Sequence, residues 1–373
     1  MKKVLVTGGA GFIGQHLVRA LLDAGHTVRV YDSFEPQVHG SQRRLPKPLD
    51  GAVDLQIGDV QDRTSLAAAL EGMEIVFHQA ARVGVGQSMY EIASYTAANT
   101  LGTATLLQLL AEGHHRVEKL LVASSMSIYG EGAYRCPRCG PVDPPLRSEE
   151  QLRQRLWELL CPQCGITMEP LPTPETKRIY PTSVYAVSKR DQEELCLAVG
   201  RAYGLPTVAL RYFNAYGPGQ ALSNPYTGVA AIFSCRLLNG QPPVLYEDGR
   251  QSRDFTHVRD IVQANLLAME SARADYQTFN VGTGSPTDLL TLGQLLAHHL
   301  QRAFEPEVKH AFRQGDIRHC FADISRIHDA LGFEPSVSLN EGIGDLVAWV
   351  EQQTGIDRFL EAESALVRHR LTI

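Results

Sequence analysis

The chain has 373 residues and a mass of 41.0 kDa, with 44% hydrophobic and 20% charged residues. That composition suits one large domain or two modest ones and excludes disordered, collagen-like and disulfide-scaffold classes. The net charge of −6, with no basic run beyond two residues, argues against nucleic acid as partner, and no apolar stretch is long enough to span a membrane.

The opening apolar run, Val4 to Thr7, is too short for a secretory signal and reads as a buried parallel strand. Gly8-Gly9-Ala10-Gly11-Phe12-Ile13-Gly14 follows, then a helix with Leu17, Val18, Leu21 and Leu22 at helical spacing, closed by Gly25. A second strand, Thr27 to Tyr31, ends at Asp32. Strand, glycine turn, helix and strand with a terminal acid form a dinucleotide-binding pattern. Gly8 permits the tight turn, Gly11 admits a pyrophosphate and Gly14 lets helix and strand approach. Asp32 can accept two ribose hydroxyls and repels a 2′-phosphate, so the pattern favours NAD over NADP. The plainer alternative is a glycine-rich turn that binds nothing.

Strands at 54–59, 75–78 and 120–123 alternate with helical stretches at 64–71 and 96–112. The alternation predicts an α/β fold, a doubly wound parallel sheet of Rossmann type, with its ligands beyond the carboxyl ends of the strands. Asp59, Ala80 and Ser125 lie at such ends.

Next come 54 residues between Gly130 and Tyr185, holding Cys136-Pro137-Arg138-Cys139-Gly140 and Cys161-Pro162-Gln163-Cys164-Gly165. Each Cys-Pro-x-Cys-Gly has the form of a zinc knuckle. Two of them predict a closed tetrahedral site of Cys136, Cys139, Cys161 and Cys164, a structural zinc in an inserted ribbon over 131–176. A disulfide pair, iron or a redox dithiol are the alternatives. Between the knuckles, 148–160 reads as an amphipathic helix with Leu152, Leu156, Leu159 and Leu160 on one side and a capping box at Ser148 to Gln151. Four Arg against one Asp and three Glu make the ribbon neutral, unlike a nucleic-acid binder.

Tyr185-Ala186-Val187-Ser188-Lys189 puts a phenol and an ammonium on one helix face. A phenol titrates near 10, and a neighbouring ammonium and an oxidised nicotinamide would both favour its ionised form. Ser125 could relay the proton of a substrate hydroxyl. The first domain reads as 1–213, with 253–280 returning to it. A smaller mixed α/β substrate domain covers 214–350, and a helical tail covers 351–373. Cys196 and Cys235 read as core residues.

Thr7 to Gly14, Ser124 to Gly130, Pro181 to Lys189, Arg211 to Pro218 and Arg253 to Val258 together resemble the extended short-chain dehydrogenases/reductases, in the nucleotide-sugar epimerase/dehydratase group. The chain is most similar there to 4-epimerases typified by UDP-galactose 4-epimerase. Its cysteine pairs resemble those of some bacterial dTDP-6-deoxysugar 4-epimerases, such as those acting on dTDP-L-rhamnose. The resemblance implies Tyr185 as base, Lys189 as its electrostatic partner and ribose ligand, and Ser125 as relay. NAD would meet Gly8, Gly11, Phe12, Ile13, Gly14 and Asp32. Asp59 and Val60 would flank its adenine, and Ala80 and Asn99 would line its channel. Asn214, Arg253 and Arg313 would hold the diphosphate of a nucleotide sugar, and Asp316 its ribose. It also implies a homodimer through the helices at 96–112 and 185–203, and a cytoplasmic enzyme without membrane or nucleic-acid partners.

The same scaffold serves several reactions. Dehydratases of this group carry Asp and Glu after the relay residue, where this chain has Met126 and Ser127, so elimination is poorly equipped. A 4-epimerase needs only reversible hydride removal at C4 and room for the 4-keto sugar to turn. A related dehydratase or 4-ketoreductase is the nearer rival, and a non-catalytic dinucleotide sensor the more distant one. Cys320 falls at the resemblance's sugar-gate position, where a packing cysteine is the equal alternative.

Overall fold

The computed structural model describes residues 1–46 and 49–373. Seven parallel strands form the main sheet: β1 (Lys3–Thr7), β2 (Thr27–Asp32), β3 (Asp54–Ile57), β4 (Ile75–His78), β5 (Lys119–Ser125), β6 (Thr207–Tyr212) and β7 (Thr278–Val281). Their order is β7-β6-β5-β4-β1-β2-β3, reversing direction of growth between β1 and β4. A ligand crevice opens at such a reversal. Central strands are apolar on both sides because helices cover both faces. Among the helices, α1 (Phe12–Asp23), α2 (Arg63–Leu70), α3 (Gly102–Ala111), α4 (Val184–Tyr203) and α5 (Val258–Glu270) flank the sheet, and α6 (Phe359–Arg368) lies in the tail. Val4 and Val6 join Leu17 of α1 and Ile261 of α5 in one core, while Leu5 and Val76 meet Leu66, Leu106 and Cys196 in the other.

Two elements differ from the sequence expectation. The third strand stops at Ile57, because Gly58 lies under Tyr31, whose hydroxyl would sit 2.5 Å from an added Cβ. The stretch 96–112 is not one α-helix. Thr96–Leu101 forms a π turn before α3, and it turns the buried Asn99 toward Arg82 and Ser188.

In the second lobe, Ser252–His257 pairs in parallel with Asn214–Tyr216 and with His319–Cys320, and antiparallel with Pro286–Asp288. Its core gathers Phe233, Leu292, Leu296, Ile343 and Leu346. The chain returns to the main sheet through β7, and α5 packs against α1. The tail forms α6, after which Ile373 exchanges both backbone hydrogen bonds with Phe312. Among the described residues no helix is long and apolar enough to cross a membrane.

The inserted segment forms a three-stranded antiparallel sheet of Gly140–Val142, Ala133–Cys136 and Glu169–Leu171 over Tyr134, Leu159 and Met168. Its helix is shorter than the leucine spacing predicts, Glu149–Arg153 only. Ser148 accepts the Gln151 N–H, but the Gln151 amide donates to the Leu156 and Glu158 carbonyls instead of closing the box. Arg155 takes a left-handed φ of 58°. Consequently Leu152 and Leu159 are buried while Leu156 and Leu160 face outward. Both roots of the insertion grip one segment of the second lobe: the Gly132 N–H donates to the His319 carbonyl, and Thr173 bridges to Ala322.

Candidate active site

The turn after β1 combines two kinds of glycine. Gly8 has φ +68°, and a Cβ there would meet the Ala80 backbone nitrogen at 2.7 Å, while one at Gly14 would lie 2.2 Å from the Gly8 carbonyl oxygen. Folding itself demands both. At Gly11 the nearest contact would be a looser 3.2 Å, and Gly11 borders an open cavity of about 440 Å³ with Phe12, His39 and Arg44. Gly11 caps α1 without a side-chain bond, leaving Phe12, Ile13 and the first helical N–H groups to serve an anion. These features fit a dinucleotide diphosphate. Asp32 is buried and accepts the Ala10 and Phe34 N–H groups, so it fastens the turn and keeps lone pairs for further donors. Asp59 accepts the Gln61 N–H, Val60 packs against Gly102, and the Ala80 N–H donates to Thr7.

Ser125, at the end of β5, and Tyr185, in the first turn of α4, are neighbours, close enough for the Ser125 hydroxyl to favour the ionised phenol. Ser183 caps α4 by accepting the Ala186 N–H, and the Ser88 hydroxyl accepts the Tyr185 N–H, which fixes that turn. The Lys189 ammonium donates to the Ala123 carbonyl at 2.8 Å. Burial raises the Tyr185 phenol, and the Ser125 hydrogen bond only partly offsets it. Burial also brings Lys189 down to about 7. For both groups burial is the first cause of the shift, acting against the charged form. The Ser127 hydroxyl donates to Ser125 Oγ at 2.9 Å. Met126 is buried beside Tyr129 and Phe213. Among the described residues no carboxylate hydrogen-bonds to Ser125 or Tyr185.

On the second lobe, the Asn214 amide oxygen is buried without a partner, as a group awaiting a ligand would be. The Arg253 guanidinium donates only to carbonyls, those of Ser252, Arg318 and Ile317, at 2.7 to 2.9 Å. No ion pair among the described residues engages it, although the buried Glu131 carboxylate lies near enough to feel its charge. Arg313 stacks on the Tyr246 ring and pairs with Asp316 at 2.8 Å. These two thus bind each other, where the resemblance implies separate substrate partners. Cys320 is buried with Tyr129, Phe213 and Ile317, with burial pushing its thiol up to about 12.

The four insertion thiols all lie within 4.8 Å of one another. Gly140 and Gly165 take positive φ just after each Cys-x-x-Cys, and the Gly165 N–H closes its turn on the Cys161 carbonyl. Burial opposes ionisation of Cys136, but the Cys139 and Arg138 N–H groups bring it down to about 7. Four converging sulfurs, one predisposed to thiolate, fit a soft tetrahedral cation.

Sequence reasoning passed over Ser88, the hydrogen bond of Ser127 to Ser125, and a largely buried charge cluster of Glu131, Arg147, Glu158, Glu247, Asp248 and Arg318. The cluster has no sequence signal, since its members are scattered over three segments.

The family model described as NAD dependent epimerase/dehydratase matches residues 4–149 and 166–282, leaving out the second cysteine pair. The chain is 37% identical over 354 residues to dTDP-L-rhamnose 4-epimerase of Burkholderia thailandensis, covering 94% of this chain and 96% of that protein. UDP-glucose 4-epimerase of Thermotoga maritima, solved with UDP-glucose, superposes with a TM-score of 0.75 at 32% identity, covering 94% of this chain and 99% of that one. The Thermus thermophilus UDP-glucose 4-epimerase complex with NAD gives a TM-score of 0.74 at 31% identity, covering 94% and 100%.

Proposed function

The chain belongs to the NAD dependent epimerase/dehydratase family, and from that premise we propose that it inverts C4 of a nucleotide-diphosphate sugar, as an NAD-dependent 4-epimerase. The observation that carries this reading is Ser125 beside Tyr185, with no carboxylate among the described residues hydrogen-bonded to either. Ser125 holds the substrate 4-hydroxyl, and the Tyr185 phenolate takes its proton as the C4 hydride departs. Bound oxidised NAD supplies the hydride acceptor, the donor for the return step and a positive ring. That positive charge would favour the ionised Tyr185 phenol, against the burial that raises its pKa. Tyr185 gives the proton back when the 4-keto sugar has turned its other face. Lys189 orients the cofactor ribose, and Asp32 and the turn from Gly8 to Gly14 hold the rest. Asn214 and Arg253 hold the diphosphate as a pivot, with Arg313 and Asp316 moving from each other to the nucleotide.

The likeness to a dTDP-L-rhamnose 4-epimerase favours a dTDP-6-deoxyhexose. The likeness to UDP-glucose 4-epimerases makes a UDP-hexose the second reading. Cys136, Cys139, Cys161 and Cys164 would hold a structural zinc, their four thiolates filling a tetrahedral set. The domains divide as 1–213 with 253–280, the ribbon 131–176, the substrate domain 214–350 and the tail. Leu101 and Val187, exposed at 54% and 44% beside α3 and on α4, are apolar contacts suited to a homodimer. The unpaired thiols outside the ribbon, Cys196, Cys235 and Cys320, agree with a cytoplasmic location. The test is incubation with a panel of UDP- and dTDP-sugars without added NAD, followed by proton NMR and mass spectrometry. An isomer of unchanged mass is expected, and loss of 18 mass units (one water) from any substrate would make the enzyme a dehydratase instead.

A further inference from the structure

The Arg253 guanidinium is aimed by backbone, not by a carboxylate: Ile317 and Arg318 supply two of its three carbonyl acceptors. The position of that carbonyl pair is set in turn by the insertion. The Arg318 N–H donates to both Glu131 oxygens at 2.9 Å, at the insertion's first residue. The Arg318 side chain is fully buried, and its Nε and Nη2 donate to Glu158 at 3.0 and 2.6 Å, while Asp248 and Glu247 take its remaining hydrogens. His319 reaches the second Glu158 oxygen at 3.1 Å. Glu158 stands three residues before Cys161, so the cysteine site fixes the loop that carries it. Arg147, also from the insertion, donates to Glu247 and to the Asp316 carbonyl.

We infer that Glu158 and Arg318 are positioning residues for the substrate diphosphate: the insertion holds the 317–318 carbonyls in place, and these hold the Arg253 fork. The inference rests on the reading of Arg253 as a diphosphate ligand. It gives the insertion a task in the reaction without any insertion residue touching substrate. A guanidinium bound only through neutral carbonyls keeps its full charge for an anion, but its direction is only as firm as the carbonyls beneath it. Fixing 317–318 with charge-assisted hydrogen bonds supplies that firmness without a direct ion pair to Arg253.

The test is a double-mutant cycle on the full-length, NAD-loaded protein, using calorimetry with UDP, dTDP and the nucleosides uridine and thymidine as probes. Arg253→Ala is expected to weaken the diphosphates about 30-fold. Glu158→Ala is expected to weaken them about tenfold, with nucleoside affinity, NAD content and melting temperature near wild type. The double variant should bind no more weakly than Arg253→Ala alone. Glu158→Gln, which keeps the length and one acceptor oxygen, should restore part of the loss and serves if the alanine variant is poorly folded. If Arg253→Ala weakens binding while Glu158→Ala does not, or the two losses multiply, the positioning role is wrong. If Arg253→Ala leaves diphosphate affinity unchanged, the reading of Arg253 itself fails and takes the inference with it.

Discussion

The sheet around β1 and the inserted ribbon are fixed in the molecule by different forces. Val4, Leu5, Val6, Leu17 and Phe77 are fully buried between two helical layers, so hydrophobic burial sets that region with no polar partner required. The ribbon buries only Tyr134, Leu152, Trp157, Leu159, Met168 and two cysteines as apolar residues, too few to hold a fold by themselves. Four thiols close it on one side, and Glu131, Arg147 and Glu158 tie it to the second lobe on the other. The contrast teaches that the chemistry can reside in a layer of robust packing while its substrate grip depends on a polar attachment that is easier to loosen.

The largest effect expected is on the sheet side. Tyr185→Phe should lower kcat by about 10³-fold or more while NAD content and UDP or dTDP affinity persist. Persisting turnover would break the assignment of the chemistry to that layer. Gly14→Ala, forcing a Cβ to 2.2 Å from the Gly8 oxygen, should cost about 1–3 kcal/mol and strip NAD from the purified protein. A thermal melt and the absorbance of extracted coenzyme would check it.

Smaller effects should fall on the ribbon and the substrate grip it supports, leaving the sheet intact. Cys161→Ser, or chelation, should release zinc and speed hydrogen exchange at 133–171 while the amides of β1, β4 and β5 stay protected. Equal exchange in both regions would show that the two are one cooperative unit. The smallest effect is a pH dependence. A hydrogen bond from His319, with Arg318, holds Glu158 down to about 2. With its folded pKa depressed, Glu158 stabilises the attachment fully above the ordinary carboxyl range, near 4.3. That contribution fades as pH falls toward 2. Fluorescence of the buried Trp157 should report loosening across that window, and Glu158→Ala should flatten it.

The same contrast explains what could be read from the chain. Short-range patterns specify β1, the glycine turn, α1 and the alternation of strands and helices, because burial on a fixed period writes itself into consecutive residues. The two cysteine pairs and the Tyr185–Lys189 spacing are equally local. The charge cluster is not: Glu131, Arg147, Glu158, Glu247 and Arg318 meet only after folding, and each alone looks like a solvated residue. The leucines of 148–160 carried helical spacing, yet the Gln151 amide and the left-handed Arg155 ended the helix early. The π turn at Thr96–Leu101 adds one residue to a helical pattern without changing its composition. Direction of charge effects also escaped the sequence, since only the buried structure shows desolvation prevailing at Tyr185 and Lys189.

The most direct measurement follows a single hydrogen. A substrate carrying deuterium at C4, turned over with excess unlabelled NAD and NADH in solution, should yield an epimer with the label still at C4. Deuterium passing into the free coenzyme pool or into water would contradict an inversion in which the hydride leaves and returns within one closed site.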